Sequence, residues 1–243
     1  MKTKQYPAPP AWSASALSLH TQCPLKFRFS RIDKIPEPQA PALARGIAIH
    51  KMCEDYIKGI TSVVPNELKH FEKELNWLQA EKVSYPKCVA VEAEWAFRQD
   101  WSITSWFAKD VWVRAKLDVV VLNPYTDIAT VIDWKTGKFN LEFKVEEYME
   151  QLELYALTTM LMYPELQEVT PVLGFVDYGI KYPDVPRPSF TREDVPNLKL
   201  KWKEKSSRMM SDTIYPAKPN KLCGWCHYRA SNKANGGGQC DFG

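Results

Sequence analysis

Four of the six cysteines stand at opposite ends of the chain, with Cys23 near the start and Cys223, Cys226 and Cys240 near the finish. Four soft thiolates share one metal ion or cluster only where their sulfurs converge, so joint action by these four requires the two ends of the chain to meet. In a reducing compartment, six cysteines are not expected to pair as structural disulfides. The clustered ones then point to metal ligation, and Cys53 and Cys88 to plain burial. Cys223-x-x-Cys226 is a compact chelating pair, and thirteen residues including Gly236-Gly237-Gly238 separate it from Cys240. That spacer is no obstacle, because each doubling of a loop costs only about 0.6 kcal/mol.

The chain has 243 residues, 45% hydrophobic and 25% charged, which is ordinary globular composition and enough for one core. No run approaches the roughly 18 apolar residues of a membrane span, and Met1 to Trp12 carries prolines where a leader needs an apolar stretch. The expectation is a cytoplasmic protein, of a bacterial or phage-infected cell, with no membrane association. A net charge of +3 is only mildly basic, so nucleic-acid binding has to come from local patches. Two such stretches stand out: Lys26, Arg28 and Arg31 with Phe27 and Phe29, and Lys199 to Arg208 around Trp202. The second reads as a solvated helix face before it reads as a DNA contact. No P-loop or helicase segment is present in the sequence, so no motor is expected.

Local patterning sets the element order. Ser13 or Ser15 N-caps a short helix through His20, which Cys23-Pro24 ends. A helix over about Leu43 to Lys58 brings Gly46, His50 and Glu54 onto one face beside Ile49, Cys53 and Tyr56. Leu68, Phe71, Leu75 and Leu78 recur at three and four, predicting a helix from Asn66 to about Lys82. Period two takes over at Cys88, giving strands through Val89 to Phe97, Val111 to Val121 and Ile128 to Lys135, with a turn at Asn123 to Asp127. Glu146 to Met162 reads as a helix, Val169 to Ile180 as a strand and Asp194 to Asp212 as a Lys-rich helix, before a loop-like tail from Tyr215. The order argues for an α/β (α+β) fold with a small mixed central sheet flanked by helices.

The hairpin can be tested by arithmetic. A turn centred between Tyr125 and Thr126 makes paired residue numbers sum to 251, placing Asp118 opposite Asp133, with Lys135 on the same face and Trp134 pointing away. Cross-strand Cβ atoms lie roughly 4.5 to 5.5 Å apart, so the two aspartates repel unless a divalent cation lies between them. The alternative is that both are solvated and paired with Lys135 and Lys116. His50 has two readings as well, metal ligand or hydrogen-bonded packing residue. Glu94 or Glu92 stands near enough in the pattern to add an acidic group, or to be merely solvated.

The segment Val131-Ile132-Asp133-Trp134-Lys135-Thr136-Gly137 resembles the PD-(D/E)XK nuclease superfamily. The likeness is to its RecB-like exonuclease branch, which includes the CRISPR-associated adaptation nucleases with an iron–sulfur cluster. The resemblance runs through Ser13 to Leu17, Cys23 to Phe27, Gly46/His50/Glu54, Leu117-Asp118, Gln151 to Ala156 and Cys223-Gly224-Trp225-Cys226, in order and over nearly the whole chain. It implies a single domain, 1–243, with a restriction-endonuclease-like core. Segments 13–35 and 215–243 would form the cysteine-cluster region, and 88–180 the catalytic sheet and helix.

The resemblance further implies Mg²⁺ or Mn²⁺ held by His50, Asp118, Asp133 and the Ile132 carbonyl, with Lys135 orienting the attacking water. It implies a 4Fe-4S cluster on Cys23, Cys223, Cys226 and Cys240, for which Zn²⁺ is the alternative. The spacer before Cys240 is longer than the family's usual interval. Gln151 and Tyr155, at i and i+4, either approach the site to bind DNA or anchor their helix. The activity implied is that of a metal-dependent exonuclease acting on DNA ends or single strands, in replication, recombination, repair or phage or CRISPR DNA processing, with recombination, replication or helicase proteins as partners. The alternative is a non-catalytic DNA-binding module that retains the fold.

Overall fold

A computed structural model describes residues 4–137, 141–183 and 188–242. The chain divides into two compact units, one of Met1–Gln39 with Lys203–Gly243 and one of Ala40–Trp202. The larger unit is built on a mixed sheet of β1 (Val89–Phe97), β2 (Ile103–Thr104), β3 (Val113–Leu122), β4 (Ile128–Lys135), β5 (Glu168–Phe175), β6 (Ile180–Tyr182) and β7 (Phe190–Thr191). The strand order is β2-β1-β3-β4-β5-β6, with β7 on β5; β4 and β5 run parallel and the other pairs antiparallel. The parallel pair needs a crossover, and α5 (Leu141–Met162) supplies it.

Alternation decides what covers each face. Ile132, Trp134 and Val172 turn toward α3 (Pro41–Ile57) and α4 (Glu72–Ser84), joining Ile49, Cys53, Leu75 and Leu78 in one core. Leu173 and Phe175, on the opposite face of β5, meet Tyr148 and Leu152 of α5. Leu75 and Leu78 are fully buried, so truncating either to alanine costs about 2–5 kcal/mol. Gly174 is required by packing: a Cβ there would lie 2.7 Å from the Trp134 ring.

Hairpin register follows the sum of 251, with ladder pairs from Val119 and Ile132 out to Leu122 and Ala129. In the turn, Asn123 Oδ1 accepts from Tyr125 N at 2.9 Å. Two expectations are corrected. The helix expected over Asn66 to Lys82 is a 3₁₀ turn, Asn66–Phe71, followed by α4, because Phe71 leaves helical dihedrals while its ring packs edge-on against Trp134 at 5.4 Å. The single strand expected over Val169 to Ile180 is β5 and β6, joined by a turn in which Gly179 takes φ +66°. The two-residue β2 was not anticipated.

In the smaller unit, Ser13 caps α1 (Ala14–Gln22) by accepting from Ala16 N at 3.3 Å. Pro24 then opens the single turn α2 (Pro24–Phe27), where its missing N–H is harmless, and a π turn runs Arg28–Ile32. Buried His20 donates from Nε2 to Asp212 Oδ2 at 2.8 Å. A capping box between Thr191 and Asp194 opens a 3₁₀ turn, Arg192–Asp194, which leads into α6 (Val195–Met210). Two 3₁₀ turns, Lys221–Trp225 and Ala230–Asn235, lie in the tail. Among the described residues, no helix is long and apolar enough to cross a membrane.

Candidate active site

Asp118 and Asp133 are 7% and 4% exposed, which removes the solvated reading of the pair. Asp118 Oδ2 accepts the Trp134 backbone N–H at 2.7 Å, and Oδ1 lies 3.1 Å from His50 Nδ1. Helix α3 presents His50 one residue beyond the buried Ile49, so the ring sits at the edge of the core and faces the sheet. Burial, and after it the neighbouring Asp133 charge, push the Asp118 pKa up to about 6, against the lowering effect of His50. Burial favours a neutral His50 ring, but its hydrogen bond to Asp118 and the charges of Asp118, Asp133 and Glu92 hold its pKa above the ordinary value.

Asp133 meets a different set of groups. Its Oδ1 accepts from Tyr155 Oη at 2.5 Å and from Gln151 Nε2 at 3.4 Å, so the two α5 residues share a face and point at this carboxylate. Burial raises the Tyr155 phenol well above its usual pKa, and the carboxylates Asp133 and Asp118 push the same way, so it stays a proton donor. Oδ2 is met by the Lys135 ammonium 2.6 Å away, an ion pair at an angle that makes no regular hydrogen bond. Oδ2 makes no hydrogen bond among the described residues, so the Lys135 charge is what compensates its burial.

Glu92 completes the acidic set. The β1–β3 register places it opposite Asp118, since 92 and 118 sum to 210 as Val91 and Val119 do. Its φ is +55°, a left-handed conformation unusual for glutamate, and strain of this kind concentrates at functional sites. One ligand atom each from His50, Glu92 and Asp118 lie within 4.8 Å of one another. Imidazole with two carboxylates is a fitting donor set for a small divalent cation. Lys116 pairs with Glu92 at 2.8 Å, where the alternative sequence reading had it beside an aspartate. Alternation put Glu92 and Glu94 on one face without separating them; the register opposite Asp118 does so, and Glu94 lies at 4.0 Å from Lys116 instead.

A second arrangement fixes the chain just after Lys135. Asp177 accepts from Gly137 N at 2.8 Å and is paired with both terminal nitrogens of Arg45, while Val176 N donates to the Lys135 carbonyl at 3.0 Å. Gly46, next along α3, brings its backbone against Thr136, with 3.3 Å between Thr136 Oγ1 and the place a Cβ would take. Asp177 gave no sequence signal, since it lies in a turn forty residues from Gly137.

In the smaller unit, Cys23, Cys223, Cys226 and Cys240 all line one cavity, so the long spacer does not keep Cys240 away. Burial raises the Cys240 thiol, and Cys226, Cys23 and Cys223 add to the rise. Among the described residues, no group of three or more of these cysteines is close enough to hold a metal ion as it stands.

A family model for the PD-(D/E)XK nuclease superfamily matches residues 11–231. No curated protein matches the chain. Solved structures with a similar chain path include SSO0001, 15% identical, with a TM-score of 0.46 over 94% of this chain and 86% of that one. Another is a provisionally named exonuclease from Eubacterium rectale, 12% identical, with a TM-score of 0.46 over 90% of this chain and 87% of that one. With the family model covering all but the two ends, this chain belongs to the PD-(D/E)XK nuclease superfamily.

Proposed function

We propose that this chain is a metal-dependent DNA exonuclease of the RecB-like branch, a single nuclease domain over 1–243 that hydrolyses phosphodiester bonds at DNA ends or in single strands. The observation that carries this reading is the convergence of the His50, Glu92 and Asp118 donor atoms within 4.8 Å, beside the ion pair of buried Asp133 with half-buried Lys135. His50, Asp118 and Asp133, with the Ile132 carbonyl and Glu92, would hold Mg²⁺ or Mn²⁺. When bound, the cation polarises a phosphoryl oxygen and lowers the pKa of its water. Lys135 orients the attacking water and favours the extra negative charge of the transition state. Tyr155 and Gln151 hold Asp133 in orientation and stand next to the place of a DNA phosphate.

The four cysteines hold a 4Fe-4S cluster in this reading. A single tetrahedral zinc with Zn–S near 2.3 Å would draw its sulfurs to about 3.8 Å from one another. All four cysteines line one cavity, the convergence that a shared centre requires. A cytoplasmic setting fits reduced thiols, and a helicase, replication or recombination protein is the expected partner.

The test uses linear single- and double-stranded DNA, and covalently closed circles of the same sequence, with Mg²⁺ or Mn²⁺. The linear molecules shorten from their ends and the circles stay intact. Cleaved circles would show an endonuclease, and intact DNA of every form would leave the non-catalytic DNA-binding module. A brown protein with an absorption band near 400 nm and acid-labile sulfide supports the cluster, and a colourless protein with stoichiometric zinc overturns it.

A further inference from the structure

The smaller unit contains a second cavity, of about 130 Å³, lined by Lys205, Arg208 and Lys218 with Leu17, Pro24 and Met209 as its apolar wall. Lys205 and Arg208 stand at i and i+3 on α6 and so project to the same side. Lys218 is held in place by donating to the Thr21 carbonyl at the end of α1, 2.8 Å away. That bond offsets the partial negative charge of a helix C-terminus, which would otherwise repel an anion.

Nearby acidic charge is already engaged. Asp212 gives Oδ2 to His20 and Oδ1 to the backbone N–H groups of Ile214 and Tyr215. Among the described residues, neither Arg208 nor Lys218 has a carboxylate partner. Three cations lining one cavity, two of them without a carboxylate partner among the described residues, make a local positive field that favours an anionic ligand. Arg208 offers a planar fork suited to phosphate oxygens, and the lysines add point charges.

We infer that this cavity is a phosphate site for the backbone of a DNA strand, formed by Arg208, Lys218 and Lys205 and separate in composition from the nuclease centre. The inference rests on the DNA-directed reading above but not on catalysis. Its contacts go to phosphate, so they add affinity without sequence preference.

The test is fluorescence anisotropy with a labelled single strand in EDTA, where no cleavage occurs, titrated from low to high salt. Removing two phosphate contacts lowers the magnitude of the log–log salt slope by about 1.4, at roughly 0.7 for each single-strand contact. Arg208→Gln with Lys218→Gln is expected to show that drop and a tenfold or greater loss of affinity at low salt, with Arg208→Lys recovering part of it. Lys199→Gln with Lys203→Gln removes the same two charges from a different side of α6 and is expected to leave both slope and affinity near wild type. An equal effect from that pair would reduce the observation to general electrostatics and overturn the site. Displacement by inorganic phosphate at matched ionic strength, with DNA binding unchanged in the double variant, would assign the cavity to small anions and also overturn it. Unchanged melting temperatures show that the variants fold. A DNA-binding wild type that never cleaves would sink the nuclease reading and leave this one standing.

Discussion

The backbone N–H of Trp134 donates to Asp118 Oδ2 across the hairpin at 2.7 Å, which leaves Oδ1 free to meet His50. One peptide group thus orients the carboxylate of β3, and the side chains to either side of it do different work: Trp134 seals the core and Asp133 and Lys135 face α5.

Removing charge from this centre separates function from stability. Asp118 is buried beside Asp133, an arrangement that disfavours its charged form. Asp118→Asn keeps the shape and the acceptor for Trp134 N. Scanning calorimetry at pH 7 without divalent ions is expected to show a melting temperature equal to or above wild type, while divalent-dependent cleavage falls by roughly 10²-fold or more. A clearly lowered melting temperature would mean that the Asp118 charge holds the fold together.

The contact from Arg45 through Asp177 to Gly137 N fixes the backbone two residues beyond Lys135. Asp177→Ala is expected to lower kcat about 10-fold with little change in KM, since small misplacements of a reacting group are costly. Arg45→Ala should do less, and the double variant should fall short of the sum, because both act through one carboxylate. Full additivity in the cycle would count against a shared role.

Acid sensitivity has a local source in the smaller unit. Burial alone would raise the Asp212 pKa, but the Tyr215 and Ile214 backbone N–H groups and His20 hold it below the ordinary carboxylate value. A depressed native pKa adds stability above the unfolded value of about 3.9, and that stability is lost as pH falls through the native value. Urea midpoints are expected to show Asp212→Asn less stable than wild type at pH 6, with the gap closing toward pH 3. A gap that stays constant with pH would remove this carboxylate from the account.

Much of the fold was legible because its signals are short-range. The β-hairpin declared itself through alternation and an Asn-Pro turn, and the register sum of 251 holds from Val119 and Ile132 outward; Asp118 and Asp133 lie just beyond those pairs, where the Trp134 N–H meets Asp118. His50, Gln151 and Tyr155 were found by helical spacing and family resemblance, and their side chains do reach the two aspartates. What stayed hidden depends on tertiary placement. Glu92 and Glu94 are equivalent by alternation and differ only in which faces Asp118; Asp177 acts through a turn; Phe71 breaks a well-patterned helix to reach Trp134. Lys218 reaches its cavity from a segment with no periodicity at all.

The central claim is that the Asp133–Lys135 pair and its acidic neighbours form a cation-dependent cleavage site. The most direct measurement follows end-labelled single- and double-stranded DNA with wild type and Lys135→Ala in Mg²⁺, Mn²⁺ or EDTA, with binding recorded in parallel. Wild type is expected to cleave only with a divalent ion, and Lys135→Ala to lose roughly 10²-fold or more of that activity with binding retained. Cleavage that persists both in EDTA and in Lys135→Ala would contradict it.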